Sequence, residues 1–421
     1  MSQLQTALEF PASITKLENG LTIIHQEVSA TPVAVVDVWI RAGAIQEPEP
    51  WSGMAHFLEH MIFKGTDNIA PGVFDQVIES RGGVTNAATS HDYAHFYITT
   101  AEQYLEETLP TLAELLLQPK IPDLEFIRER DVVLEEIRQA EDNIDWIEFQ
   151  AMMEIIYSHH PYGRSVLGTP EKLMQREPEE MRCFHQCHYQ PQNMGVVIVG
   201  GVKQERALDA IKQAFAQFPT PQNCPCIGLT PEPQISEIRR RELQLPHAEQ
   251  ARLMLAWLGP NVEQLRDVYG LDLLTVILTE GRTSRLVRTL REELQLVHYL
   301  SGSFSVQQQS SLLTINILLD FKQIKTVEAL IQDCIAQLHS QPISEAELKR
   351  GQRLLCNDYA FSTETPAQLA GLYGYYFTVA QPELSITYPT QIQSFQTSDL
   401  QEIAQKYLAL DSYAVTVIQP S

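Results

Sequence analysis

The order of apolar and polar positions divides the chain into two halves that resemble each other. In each half an apolar strand ends in a glycine and is followed by a helix that closes at a second glycine. These glycines are Gly43 and Gly65 in the first half and Gly259 and Gly281 in the second, a constant offset of 216 residues. A similar helix start follows Gln118-Pro119 and Gln341-Pro342. This recurrence predicts a duplicated domain.

Within each half, strands come first, long amphipathic helices follow and a strand comes late. Helices at 105–118 and 123–146 and a strand at Gly195–Gly200 fit this order. Strand runs followed by helix runs favour an α+β fold, with a mainly antiparallel sheet and long helices in each domain. Five prolines between Pro219 and Pro233 predict a linker. The predicted boundaries are 1–218 and 238–421 for the domains and 219–237 for the linker.

The strongest chemical signal is His56-Phe-Leu-Glu-His60. We place it on a helix that begins at an N-cap, Ser52, and ends at Gly65. Its apolar face is then Met54, Phe57, Leu58, Met61 and Ile62, and its opposite face is His56, Glu59, His60 and Phe63. Imidazoles at positions i and i+4 can bind one Zn²⁺ while the carboxylate at i+3 points at the same volume, an arrangement called the inverted zincin motif. The alternative is a solvated face with two histidines there by chance.

A catalytic zinc needs a third protein ligand and an open position for water. The predicted helix from Pro122 to about Trp146 offers Glu129 and Glu136, which are two turns apart and share one face. Glu135 points elsewhere, so Glu136 is the better candidate, although acids on long helices are usually only solvated.

With these motifs, the sequence resembles the pitrilysin/insulinase-type zinc metallopeptidases, in particular the shorter branch that includes bacterial processing proteases and the mitochondrial processing peptidase. The likeness runs through most of the chain. The segments that carry it are Leu17–Thr22, His56–Thr66, Gly82–Thr89, Glu129–Ile137, His160–Gly163 and Tyr189–Met194.

The resemblance implies a role for each of these residues. His56, His60 and Glu136 would bind one zinc ion, Glu59 would be the general base and Glu129 an accessory acid. Asn86 and Ala87 would lie on an edge strand that pairs with the substrate backbone. The second half has Asp272, Thr275 and Val276 at the aligned positions and should bind no metal. The predicted substrate-binding residues are Phe63, Asn86, Ala87, Arg291 and Tyr299.

The resemblance also implies that the chain forms half of a clamshell. Family members that hold substrate with their second domain show Arg-Glu-x-x-Gly-Leu-x-Tyr, whereas this chain reads Arg291-Glu-Glu-Leu-Gln-Leu-Val-His-Tyr299. Gln295 replaces the glycine, and Tyr299 stands one residue late. On a strand, such a shift turns a side chain to the opposite face unless a bulge compensates. We therefore expect a heterodimer with a related subunit that lacks the metal motif. A homodimer with His298 as the donor is the alternative.

Three other groups of residues carry less weight. Cys183-Phe-His-Gln-Cys-His188 looks like a second metal cluster, but free cysteines are often core filling. Cys224-Pro-Cys226 lies in the linker without other thiols nearby in sequence, and we interpret it as inert. His91 and His95, four residues apart beside the predicted substrate strand, could contact substrate, but we interpret them as surface residues.

Composition narrows the class of protein. A hydrophobic content of 44% is typical of globular proteins. The longest apolar runs, such as 194–202, are too short to cross a bilayer. Residues 1–5 contain neither a basic region nor an apolar stretch, so we expect no signal or transit peptide. Six cysteines without an export signal suggest reduced thiols and a cytoplasmic location.

The sequence as a whole therefore predicts a zinc-dependent endopeptidase that acts on extended peptides or targeting-type presequences. The main alternative is a non-catalytic subunit that keeps the peptidase fold. Relatives of that kind usually lose the metal ligands, which this chain retains. A zinc-stabilised binding module would need four protein ligands, of which the sequence offers three.

The chain is strongly acidic, with 53 acids against 30 bases and a net charge of −23. Residues 1–218, which carry the metal motif, hold 32 of the acids and 15 of the bases. This balance disfavours nucleic-acid binding, which requires neutralisation of phosphates. It favours basic, unfolded peptides as substrates, although acidity can also serve solubility alone.

We predict that Arg-rich peptides are cleaved faster than matched Glu-rich peptides at low salt, because the acidic half attracts cations. The preference should fade as salt rises, since counterions screen the attraction. Turnover of both peptides at two ionic strengths measures this. Equal turnover at low salt would leave the acidity as a matter of solubility.

Overall fold

A computed structural model describes residues 10–225, 228–246 and 248–420. The predictions for residues 1–5 and Cys226 fall outside these ranges. The described residues form two compact units. One comprises 10–139, 165–225, 228 and 362–387, and the other comprises 140–164, 229–246, 248–361 and 388–420. Each holds one mainly antiparallel sheet packed with helices, which confirms the predicted α+β class. Among the described residues, none of the helices combines the length and the apolar character needed to cross a membrane.

The two sheets repeat one strand order. The first contains β1 (Ser13–Lys16), β2 (Thr22–Glu27), β3 (Val33–Ile40), β4 (Val84–Thr89), β5 (Ala94–Ala101) and β6 (Met194–Gly200), in the order β1-β2-β6-β3-β5-β4. The second contains β7 (Arg239–Leu245), β8 (Ala251–Gly259), β9 (Val297–Val306), β10 (Ser311–Leu319) and β11 (Ala414–Pro420), in the order β7-β11-β8-β10-β9. Among the described strand pairs, only β2/β6 and β7/β11 run parallel. From β2 onward the orders correspond strand by strand, as a duplication requires.

Fourteen α-helices lie within the described residues. They are α1 (Met54–Ile62), α2 (Val73–Glu79), α3 (Leu105–Leu117), α4 (Asp123–Glu141), α5 (Ile144–Ile156), α6 (Pro170–Met174), α7 (Pro178–His188), α8 (Gln204–Ala214), α9 (Leu265–Thr279), α10 (Ile324–Ser340), α11 (Glu345–Phe361), α12 (Pro366–Val379), α13 (Tyr388–Ser394) and α14 (Thr397–Tyr407).

Each unit takes one helix from the opposite half of the sequence. Strands β3 and β6 are buried on both faces, and such strands need a covering layer on each side. In the first unit α12 covers the second face, where Tyr373 and Phe377 pack with Trp39. The helix can approach closely because Gly374 has no side chain: a Cβ at this position would lie 1.9 Å from the Trp39 indole nitrogen. In the second unit α5 packs on β7, β8 and β11. The compact units are therefore discontinuous, unlike the predicted segments 1–218 and 238–421.

The helix that carries the metal motif begins differently from the prediction. Its N-cap is Gly53, with φ +93°, and not Ser52. The carboxylate of Glu47, which is buried, accepts hydrogen bonds from the backbone N–H groups of Gly53 (2.9 Å) and Ala55 (2.7 Å). Because this side chain supplies acceptors for two N–H groups at the helix start, it takes the place of a Ser cap.

The predicted helix at 123–146 is wrong at its end. Helix α4 stops at Glu141, and α5 begins at Ile144. The Asn143 side chain accepts hydrogen bonds from the N–H groups of Asp145 and Trp146, at 2.9 and 3.3 Å. Asparagine is a strong N-cap, so it starts a new helix within an otherwise continuous apolar pattern.

Candidate metal centre

Helix α1 holds the two histidines in place by burying its other face. Met54, Phe57, Leu58, Met61 and Ile62 are all fully buried, as predicted. His56 and His60 therefore project from the remaining face one turn apart, and their ring centroids are 4.8 Å from each other. Burial and the neighbouring His60 lower the pKa of His56 to about 4. A neutral imidazole is the form that binds a metal.

Helix α4 supplies the acid. It packs on α1 through Phe57 and Phe126, whose ring centroids are 4.6 Å apart, and it buries Val133 in the same core. Glu136 then faces both histidines. Its Oε1 lies 3.6 Å from His56 Nε2 and its Oε2 lies 3.4 Å from His60 Nε2. Glu135 pairs instead with Arg138 at the surface.

The donor set fits a zinc ion. The ligand atoms of His56, His60 and Glu136 all lie within 4.8 Å of one another. Ligands bound to zinc at about 2.0–2.1 Å in tetrahedral geometry are separated by about 3.3 Å, close to the two N–O distances to Glu136. Nitrogen and carboxylate oxygen are both ligands that zinc accepts, and three protein ligands leave a position for water. Nδ1 of His56 is buried and makes no hydrogen bond within the described residues.

Glu129 orients one of the histidines. The Nδ1 atom of His60 lies 3.0 Å from Glu129 Oε1, and Lys64 Nζ lies 2.6 Å from Glu129 Oε2. A carboxylate at Nδ1 makes that nitrogen the donor, so Nε2 keeps its lone pair for the metal. The resemblance predicted an accessory acid at Glu129. In the structure its contact with the centre is the one to His60.

Glu59 lies on the same face of α1, beside the first sheet. Thr89, the last residue of β4, donates a hydrogen bond to Glu59 Oε2 at 2.6 Å. Burial raises the pKa of Glu59 above its ordinary value, and the bond from Thr89 opposes that shift. A raised pKa makes a carboxylate a better proton acceptor.

Three predicted substrate-binding residues lie in the first unit. Asn86 and Ala87 are on β4, which pairs only with β5 among the described strands and is the edge of its sheet. Phe63 directly follows α1 as its C-cap, with its ring centroid 5.9 Å from those of Phe74 and Phe96. It is thus packed on the core, and its contact with substrate stays a prediction.

The other two lie in the second unit. Arg291 belongs to a π-helical segment, Val287–Glu293, and pairs with Glu292. Gln295, at the position of the family glycine, has φ +53°, a left-handed conformation that glycine adopts without strain. This backbone requirement explains the glycine in the family pattern.

Strand β9 contains a bulge next to Tyr299. Tyr299 pairs with Leu318 and Val297 pairs with Leu319, so His298 is an extra residue. A bulge of this kind resets the alternation of side chains. Val297 is buried, whereas His298 and Tyr299 are both exposed, Tyr299 to 51%. The expectation that Tyr299 turns to the other face does not hold, because the bulge compensates for the shift.

In the second unit, the residues at the positions of His56, Glu59 and His60 have partners of their own. Asp272 accepts a hydrogen bond from the Tyr388 hydroxyl, and burial raises its pKa to about 6. Thr275 donates to the Leu271 carbonyl oxygen of its own helix, at 2.8 Å. Val276 packs against the apolar core.

Sequence reasoning missed three contributors to this centre: Lys64, Thr89 and Glu47. Lys64 could have been found, because it stands one turn after His60 and so shares its face. The contact of Thr89 joins elements 30 residues apart, and that of Glu47 depends on the course of the loop before α1. The surface interpretation of His95 is wrong, since its Nδ1 lies 3.0 Å from the buried carboxylate of Asp37 and its ring stacks on Trp39.

Comparisons with known proteins agree with this geometry. Residues 22–170 match the family model described as Insulinase (Peptidase family M16), and residues 177–355 match the Peptidase M16 inactive domain. The chain is 29% identical to the zinc protease PqqE of Helicobacter pylori, over 98% of this chain and 93% of that protein. It is 31% identical to a probable mitochondrial-processing peptidase subunit beta of Arabidopsis thaliana, over 59% of this chain and 48% of that protein. The crystal structure of a protease from Helicobacter pylori superposes with a TM-score of 0.90 at 25% identity, covering 97% of this chain and 99% of that one.

We predict that Glu129→Gln weakens zinc affinity about 10- to 100-fold without loss of fold, because the amide holds His60 less firmly than a carboxylate does. Competition against a zinc indicator measures the affinity, and circular dichroism checks the fold. Glu135→Gln, on the same helix but paired with Arg138 at the surface, is the matched control. Equal zinc affinity in the two variants would show that Glu129 does not contribute to the metal centre.

Proposed function

The chain belongs to the insulinase family of peptidases, M16, and on that premise we propose that it is a zinc-dependent endopeptidase of extended peptides. The observation that carries the proposal is the convergence of His56, His60 and Glu136, with Glu59 on the same helix face. A relative similar over nearly its whole length is named a zinc protease, which supports the same activity here.

The three ligands would hold the zinc ion, and the other side chains would act around it. When bound, zinc lowers the pKa of a coordinated water to about 7 and polarises the scissile carbonyl. Glu129 keeps His60 oriented through Nδ1. Lys64 forms an ion pair with Glu129 and balances its charge next to the site.

Glu59 is the proton carrier in the proposed reaction. It accepts a proton from the attacking water as the oxygen forms its bond to the carbonyl carbon. It then delivers that proton to the nitrogen as the C–N bond breaks, so the products are a carboxylate and an amine. Its burial and its bond from Thr89 fix the carboxylate in one place.

The substrate would bind as an additional strand. The outer edge of β4 is free to pair within the part of the chain that the structure describes. A peptide that adds to this edge by backbone hydrogen bonds must be extended. Because Thr89 at the end of β4 contacts Glu59, pairing along Asn86 and Ala87 would bring the peptide to the catalytic carboxylate.

We propose that a second chain completes the active form. One relative is named a subunit, and the family resemblance assigns Arg291 and Tyr299 to a peptide held at a partner's metal centre. The sequence favoured a related but different subunit because Tyr299 stood one residue late. The bulge at His298 removes that reason and leaves Tyr299 exposed. A second copy of this chain therefore becomes a sufficient partner.

We predict that Glu59→Gln retains its zinc but loses about 10²- to 10⁴-fold in turnover, because an amide cannot accept the water proton. Metal content and peptide cleavage are measured on the same preparation. Glu79→Gln, an exposed change on α2, is the control. Turnover near that of the control would exclude Glu59 as the base, and loss of metal would make its role structural.

We predict that the chain purified alone forms an active dimer and that Tyr299→Phe lowers its turnover, because the hydroxyl that would hold the substrate is lost. Sedimentation gives the oligomeric state, and peptide cleavage gives the activity. His298→Ala distinguishes the two neighbouring donors. Activity that appears only after co-expression of a relative without the metal motif would contradict the homodimer and support the heterodimer instead.

A further inference from the structure

A second group of metal-binding side chains lies on helix α7 and the linker that follows the first half. Cys183 and Cys187 are one turn apart on α7, and His188 is its last residue. The ligand atoms of Cys187, His188 and Cys224 all lie within 4.8 Å of one another. Cys183 Sγ is 3.3 Å from Cys224 Sγ. Two thiols and one imidazole thus gather at the end of α7, and a third thiol, that of Cys183, adjoins them through Cys224.

The linker reaches this position through specific contacts. Cys224 Sγ donates to the Cys183 carbonyl oxygen at 3.2 Å, and Cys183 Sγ lies 3.8 Å from the carbonyl oxygen of Asn223. The Gln190 side chain donates to the carbonyl oxygen of Pro219 at 3.1 Å. These contacts hold both ends of the 219–224 segment against α7 and the turn after it. The sequence hid this proximity, because Cys183 and Cys224 are 41 residues apart.

The chemistry of the group favours a soft divalent cation. Structural zinc sites use four ligands, and three cysteines with one histidine is a common set. Thiolates bound to zinc at about 2.3 Å in tetrahedral geometry are about 3.7 Å apart, near the observed 3.3 Å. The Cys183–Cys187 spacing also falls in the range typical of zinc-binding pairs. A disulfide between Cys183 and Cys224 would use two of the thiols but would not explain why Cys187 and His188 lie beside them.

We propose that Cys183, Cys187, His188 and Cys224 form a second, structural zinc site that fastens the Pro-rich linker to α7. Four protein ligands close the coordination sphere, so this ion would stabilise and not catalyse. All four residues are partly exposed, which gives the ion a way in. Helix α7 packs on α1, so the site would stabilise a helix that supports α1. The proposal does not depend on the peptidase activity.

The test counts zinc in the His60→Ala chain, in which the first centre lacks a ligand. Elemental analysis should find about one zinc per chain. Adding Cys187→Ser and Cys224→Ser should remove it, whereas adding Cys356→Ser, a thiol in the other unit, should leave it. No zinc in His60→Ala, or zinc that survives the double cysteine change, would overturn the proposal.

Thiol reactivity keeps the test valid if the double variant does not fold. In the His60→Ala chain, the thiols at 183, 187 and 224 should react slowly with an alkylating reagent. Their alkylation rate should rise when a chelator removes one zinc. Peptide mapping identifies the labelled positions, with Cys356 as the internal reference. Fast labelling before the chelator, or a mapped disulfide between Cys183 and Cys224, would contradict the site.

Discussion

The carboxylate of Glu129 is the buried charge on which the arrangement of the metal centre depends. A carboxylate can be buried only if its charge is balanced and its oxygens are hydrogen-bonded. Here one oxygen meets His60 and the other meets Lys64. His60 lies on α1, Lys64 lies in the turn that follows α1, and Glu129 lies on α4. The two helices are therefore fixed in register by one charged group as well as by the apolar contact between Phe57 and Phe126.

The features that the sequence predicted correctly are those set by local periodicity. The spacing of His56, Glu59 and His60 determines a shared helix face wherever that helix lies. The seven-residue interval between Glu129 and Glu136 does the same on α4. The two helices had to meet because each carried an apolar stripe that needed cover. The edge position of Asn86 and Ala87 came from the family resemblance and not from periodicity.

The features that the sequence did not predict depend on single residues or on side-chain contacts that hydrophobic spacing does not encode. Glu47 replaced the local Ser52 cap, and Cys224 approached thiols that are far away in sequence. The break at Asn143 and the bulge at His298 are each caused by a single residue, and the apolar pattern continues on both sides of it. Hydrophobic spacing alone does not register such events, because it averages over whole turns and strand pairs.

Helices α5 and α12 each pack on the sheet that the other half of the sequence forms, and this limits where the gene can be divided. A fragment ending in the linker would encode every residue of the first sheet but not α12. Its Val35, Trp39, Val197 and Val199 side chains would then form an uncovered apolar surface, of the kind that drives aggregation. The complementary fragment would lack α5 and expose its own sheet. The two halves share a strand order, but each sheet is covered by a helix that the other half encodes, so we expect neither half to fold correctly when it is expressed alone.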